Sequence, residues 1–141
     1  MIAWNAPDGG SVITGYNLSH WVIKGLAVQI IASSALSWSN ITAGIQIHYD
    51  GSALHGNVLI DGNEVYSATY DSNTNGIVIS ASVPGTDNRE VARDITIAGN
   101  TIHDIGWYAI TTTGWDTGKN EELRSQLLYG NVKVSGNQVY N

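Results

Sequence analysis

The chain has no cysteine and no phenylalanine, two prolines and a single methionine. Without cysteine, disulfides and thiolate-held metals are excluded, and the redox compartment stays open. Charge is scarce too, at 13% of 141 residues, which argues against the polar stripes of a helical bundle. Twelve acidic against six basic side chains leave a net charge of −6, the wrong sign for phosphate backbones or anionic lipid. No nucleic-acid partner is expected. No run approaches the roughly 18 apolar residues of a membrane span, and the opening "MIAWNAPDGG" lacks the basic and apolar regions of a secretory signal. No membrane partner is expected, and localisation is left unspecified.

What the chain does have is 16 glycines, seven tyrosines and five tryptophans, among many Asn and Ile. That composition favours an all-β fold, and the length suits one domain over residues 1–141. Gly25, Gly62, Gly99 and Gly136 recur at a constant interval of 37 residues. Aligned on them, "WVIKGLAV", "VLIDGNEV", "ITIAGNTI" and "VKVSGNQV" superimpose. Apolar residues stand four and two places before each glycine and three places after it, the alternation of half-buried strands on either side of a sharp bend. A further strand precedes each later copy, in "GIQIHYD", "GIVISAS" and "YAITTTG", with Ile45, Ile47, Ile77, Ile79, Ile110 and Thr112 as its inward residues. Three strands per repeat of constant length describe a solenoid in which like residues stack at about 4.8 Å. The expectation is an all-β parallel β-helix of about four coils, with residues 1–17 as an irregular N-terminal part coil and 18–141 as repeated coils.

The pattern "GI-x-I … N-V-x-I-x-G-N-x-V/I", and above all "DITIAGNTIHDIGWYAI", resembles the right-handed parallel β-helix repeats of the pectate lyase-like superfamily. "SHWVIKGLAVQ" is similar to a strand that opens the central coils of some of its polysaccharide lyases, and the resemblance covers roughly residues 18–141. It implies a right-handed coil and an internal ladder of Asn63, Asn100 and Asn137, ending where Leu26 takes the matching place. An extracellular setting and a polysaccharide partner are also implied. The substrate groove of such proteins runs along the sheet made by the "GI-x-I" strands, so the outward residues of those strands are the candidates. Gln46, His48, Asp50, Ser80, Thr111, Thr113 and Trp115 form the substrate-binding set. His48 and Asp50, two apart, could pair as an imidazole and its orienting carboxylate, and Asp50 with Asp116 is the nearest approach to a hydrolase pair. These three are the catalytic candidates.

Several features weigh against catalysis. The lyase reaction implied by the resemblance needs a base and a calcium-binding carboxylate, and neither Lys nor Arg lies on these strands. Asp71, Asn73 and Asn75 in "DSNTNG" have the spacing that opens a calcium loop, but Ser82 stands where its bidentate acid belongs. An Asn-rich turn explains the same residues, so no cofactor is expected, with calcium as the alternative. His103 and Asp104 are adjacent and expected on opposite faces, with His103 stacked between Tyr66 and Tyr140. "EELRSQLL" after Asn120 predicts a turn or two of helix. The function expected is a carbohydrate-binding module, non-catalytic or a remnant of an enzyme. The alternatives are a structural or adhesive module that self-associates, as a homo-oligomer, through its C-terminal coil, or a part of a longer chain, and, third, a polysaccharide lyase or glycoside hydrolase.

Overall fold

A computed structural model describes residues 2–6, 10–32, 42–68, 74–82, 90–115 and 129–141. Along the chain it places strands β1 (Ile2–Ala6), β2 (Gly10–Tyr16), β3 (Trp21–Lys24), β4 (Ala27–Ala32), β5 (Thr42–Tyr49), β6 (His55–Asp61) and β7 (Glu64–Ser67). They are followed by β8 (Thr74–Ser82), β9 (Ala92–Ala98), β10 (Thr101–His103), β11 (Ile110–Trp115), β12 (Tyr129–Ser135) and β13 (Gln138–Tyr140). Every third strand returns to the same sheet. The first sheet runs β1-β4-β7-β10-β13, the second β2-β5-β8-β11 and the third β3-β6-β9-β12. All neighbouring strands are parallel. The fold is a parallel β-helix of about four coils with three strands per coil.

The interior is built from stacked rows. Val28, Val65 and Ile102 face in from the first sheet, Ile45 and Ile77 from the second, and Ile60 and Ile97 from the third, all fully buried. β-Branched chains dominate because their stiff χ1 suits a pleated surface with a neighbour directly above and below. The aromatic exception is Tyr49, whose buried ring shares the core cluster with the small residues Ala81 and Ala92. Its hydroxyl approaches the Leu18 carbonyl at 3.5 Å, and burial pushes it up to about 12. Burial raises the Tyr129 hydroxyl as well, where it donates to the Thr113 carbonyl at 2.7 Å.

Two corners of each coil depend on left-handed backbone. The repeat glycines Gly25, Gly62, Gly99 and Gly136 have φ of 67°, 61°, 62° and 63°. Five residues earlier in each copy stand His20, Asn57, Asp94 and Asn131, with φ of 61°, 57°, 54° and 52°. This second row falls on residues that mostly tolerate the left-handed region, and it marks the entry to the third sheet. Beside the glycine corner the Asn ladder forms as expected. Asn63 Nδ2 donates to Asn100 Oδ1 and Asn100 Nδ2 to Asn137 Oδ1, each at 2.9 Å, while the same amides reach the Ile23 and Ile60 carbonyls at 3.0 Å. The side-chain ladder stops at Leu26, whose backbone N–H donates to Asn63 Oδ1 at 3.1 Å and so closes its end.

Within the expected N-terminal part coil of residues 1–17, β1 pairs with β4 and β2 pairs with β5, both in parallel. The helix expected after Asn120 lies outside the described residues.

Candidate functional site

The outer face of the second sheet is set by alternation along β2, β5, β8 and β11. With Ile13, Ile45, Ile77 and Ile110 in one inward row, the residues between them turn outward in two rows, Thr14-Gln46-Val78-Thr111 and Tyr16-His48-Ser80-Thr113. The structure therefore brings together five of the expected set, Gln46, His48, Ser80, Thr111 and Thr113. Trp115 follows in the strand, its backbone paired with Ser82. Asp116 lies outside the described residues.

These side chains are joined. Ser11 Oγ donates to Gln46 Oε1 at 2.6 Å, Gln46 Nε2 donates to Ser80 Oγ at 3.4 Å, and His48 Nδ1 lies 3.0 Å from the same hydroxyl. Tyr16 meets the His48 ring edge to face, with centroids 5.7 Å apart. Ser80 and Val78 are buried while Gln46, His48, Thr111 and Thr113 are half-buried, so the centre of the face is shielded from water. Ser80 accordingly positions Gln46 and His48 from beneath. The buried Thr113 hydroxyl has no hydrogen-bond partner among the described residues.

Asp50 does not orient His48. It follows the end of β5, where its carboxylate accepts from the Ser52 backbone N–H at 2.8 Å and its own N–H donates to Asn17 Oδ1 at 3.0 Å. Hydrogen bonds from the Ser52 hydroxyl and backbone and from the Asn17 amide hold the carboxyl at about 2, well below the ordinary range. The chain turns after Tyr49, so the two-residue spacing that would place Asp50 beside His48 in a continuing strand no longer applies. Ser80 occupies the imidazole nitrogen instead. The Ser80 hydroxyl also donates to the Ile47 carbonyl at 3.4 Å, so three neighbours share it.

Elsewhere, Asp71 and Asn73 lie outside the described residues, and Asn75 is a buried residue of β8 whose amide donates to the Thr42 carbonyl at 3.5 Å. His103 stacks between Tyr66 and Tyr140 with both centroid distances 5.0 Å and rings parallel within 2°. Contrary to strict alternation, its Nδ1 also meets Asp104 Oδ2 at 2.8 Å, because β10 ends at His103 and Asp104 turns left-handed with φ of 54°. Lys24 and Asp61 pair across adjacent coils at 2.6 Å on the exterior.

Tyr16 and Ser11 were not legible as members of the site. They belong to "GSVITGYN", which lies 32 residues before the matching strand and is hidden by an alignment at 37. Exposed Trp107 and Tyr108, stacked with centroids 5.0 Å apart, open the same sheet at β11. Compared with protein-family models, curated proteins and solved structures, the chain shows no significant match to any.

Proposed function

We propose that this chain is a pectate lyase-like β-helix that binds an extended polysaccharide on the outer face of its second sheet without cleaving it. The observation that carries this reading is the Ser11-Gln46-Ser80-His48 network, which fixes a carboxamide and an imidazole on one face. Sugar recognition uses such groups as paired donors and acceptors. Asp50, the nearby carboxylate among the described residues, is committed to Ser52 and Asn17, which supports binding over catalysis.

Binding to a panel of neutral and acidic polysaccharides tests this, with Gln46→Ala and His48→Ala expected to weaken it about tenfold at unchanged melting temperature. The absence of binding to every member would sink the reading. An ultraviolet-absorbing unsaturated product from an acidic polysaccharide would show a lyase instead. Loss of binding on chelation would return calcium to consideration at Asp71, Asn73 and Asn75.

A second reading, self-association through the C-terminal coil, is favoured by one observation. Val134 and Val139 occupy inward rows yet are exposed on β12 and β13. It is compatible with the first, since that end of the solenoid is not the outer face of the second sheet.

A further inference from the structure

The outer face of the second sheet is most open along β2. Val78 and Ser80 on β8 are 1% and 2% exposed, whereas Thr14 and Tyr16 on β2 are exposed and Gln46 and His48 on β5 are half-buried. A ligand on this side of the face meets β2 and β5. β2 is the edge strand of the sheet, and its last residue, Tyr16, is 68% exposed. Tyr16 meets the His48 ring edge to face, with centroids 5.7 Å apart. Whichever ring supplies the edge, at least one face of Tyr16 is left uncovered by the imidazole. Such a face is what the C–H groups of a sugar ring pack against.

Beside that face the imidazole has a nitrogen to offer. Its Nδ1 lies 3.0 Å from the Ser80 hydroxyl, and that hydroxyl donates to the Ile47 carbonyl at 3.4 Å. With the hydroxyl hydrogen so engaged, a neutral ring carries its proton on Nδ1 and donates it to Ser80, which leaves Nε2 as an acceptor. Among the described residues nothing hydrogen-bonds Nε2. A sugar hydroxyl supplies the donor it lacks.

Charge decides which sugar fits. The outward rows Thr14-Gln46-Val78-Thr111 and Tyr16-His48-Ser80-Thr113 contain no Lys or Arg. Asn17, next after Tyr16, accepts the Asp50 backbone N–H at 3.0 Å and so brings to this corner an exposed carboxylate that stays ionised down to about pH 2. A uronate would meet a like charge and no compensating cation. From these observations we infer that the glycan is gripped over β2 and β5 at one uncharged sugar, its face stacked on Tyr16 and one of its hydroxyls donating to His48 Nε2. This rests on the carbohydrate-binding reading and adds the stacking residue, the acceptor and the class of sugar.

The test is titration of the full chain with neutral oligosaccharides from disaccharide to hexasaccharide, followed by nuclear magnetic resonance. The Tyr16 and His48 ring signals should move, and affinity should level off by the trisaccharide because one sugar carries the contact. Tyr16→Ala should raise Kd about tenfold, while Tyr16→Phe, which keeps the ring, should stay within twofold of the native chain. Melting curves verify that both variants fold. Uronate oligosaccharides of the same lengths should bind more weakly, and Asp50→Asn should narrow that gap. If a glycan binds but Tyr16→Ala stays within twofold, if affinity climbs steadily to the hexasaccharide, or if the uronates bind best, the single-sugar grip is wrong while the carbohydrate reading stands. If no glycan binds, the carbohydrate reading fails and this inference with it.

Discussion

Asn100 shows how much one residue carries in this fold. Its amide donates to Asn137 Oδ1 and the Ile60 carbonyl, and its oxygen accepts both the backbone N–H and the amide of Asn63. All of this happens in a fully buried setting. Asn100→Ala removes both the donor and the acceptor and strands partners that water cannot reach, a loss of about 3 kcal/mol. Asn137→Ala, at a half-exposed rung, should cost nearer 1 kcal/mol, about a third as much. Urea denaturation of the two variants checks the ratio, and equal losses would mean that the ladder does not act through burial. Asp50 carries a pH dependence. Its carboxyl titrates near 2 in the fold against an ordinary 3.8, so the unfolded chain takes up the proton first. Stability from its contacts is fully present above about pH 4 and is lost as pH falls toward 2. Asp50→Asn should therefore flatten the dependence of melting temperature on pH within that window and lower the melting temperature modestly near neutrality, where the carboxylate's contacts are otherwise fully present. A slope that survives the substitution would place the acid sensitivity elsewhere.

At the scale of the element, what could be read in advance depended on which strands keep a constant interval. Rows such as Val28-Val65-Ile102-Val139 in the first sheet and Ile23-Ile60-Ile97-Val134 in the third repeat every 37 residues, because the segments before and after the second sheet compensate in length and the short glycine corner between the third and first sheets stays constant. The second sheet's row, Ile13-Ile45-Ile77-Ile110, steps instead by 32, 32 and 33. Segments of varying length enter and leave that sheet, so β2 dropped out of phase and the site lost Ser11 and Tyr16. Asp50 was misplaced for a related reason, since alternation says nothing about where a strand stops. The row of His20, Asn57, Asp94 and Asn131 is also at the interval of 37, but without glycine it carries no composition signal for the left-handed region. That row makes its own prediction. Asn57→Ala places a less tolerant residue at φ of 57° and should cost about 1 kcal/mol, whereas Asn57→Gly should be nearly neutral. Equal melting temperatures for the two variants would show that the corner relaxes out of the left-handed region.

For the whole molecule the decisive property is that a solenoid buries its interior only where one coil covers the next. Val28, Val65 and Ile102 are fully buried, while Val139, in the same row, is 58% exposed. Val134 is 52% exposed although Ile60 and Ile97 beside it in its row are fully buried. Among the described residues β11, β12 and β13 are the outermost strands of their sheets at this end, where the exposed Val134 and Val139 lie. Such an edge is a template for another strand, and a second copy of the chain can supply one. Sedimentation velocity over a range of concentrations should show reversible association of the native chain. Val134→Glu with Val139→Glu should abolish it, because a carboxylate in the contact would be desolvated without a partner. The outer face of the second sheet is not part of this surface, so glycan affinity should be the same in the associated and the dissociated chain. A native chain that remains monomeric at every concentration would overturn the association. An affinity that falls with Val134→Glu and Val139→Glu would mean that two copies build the binding face together.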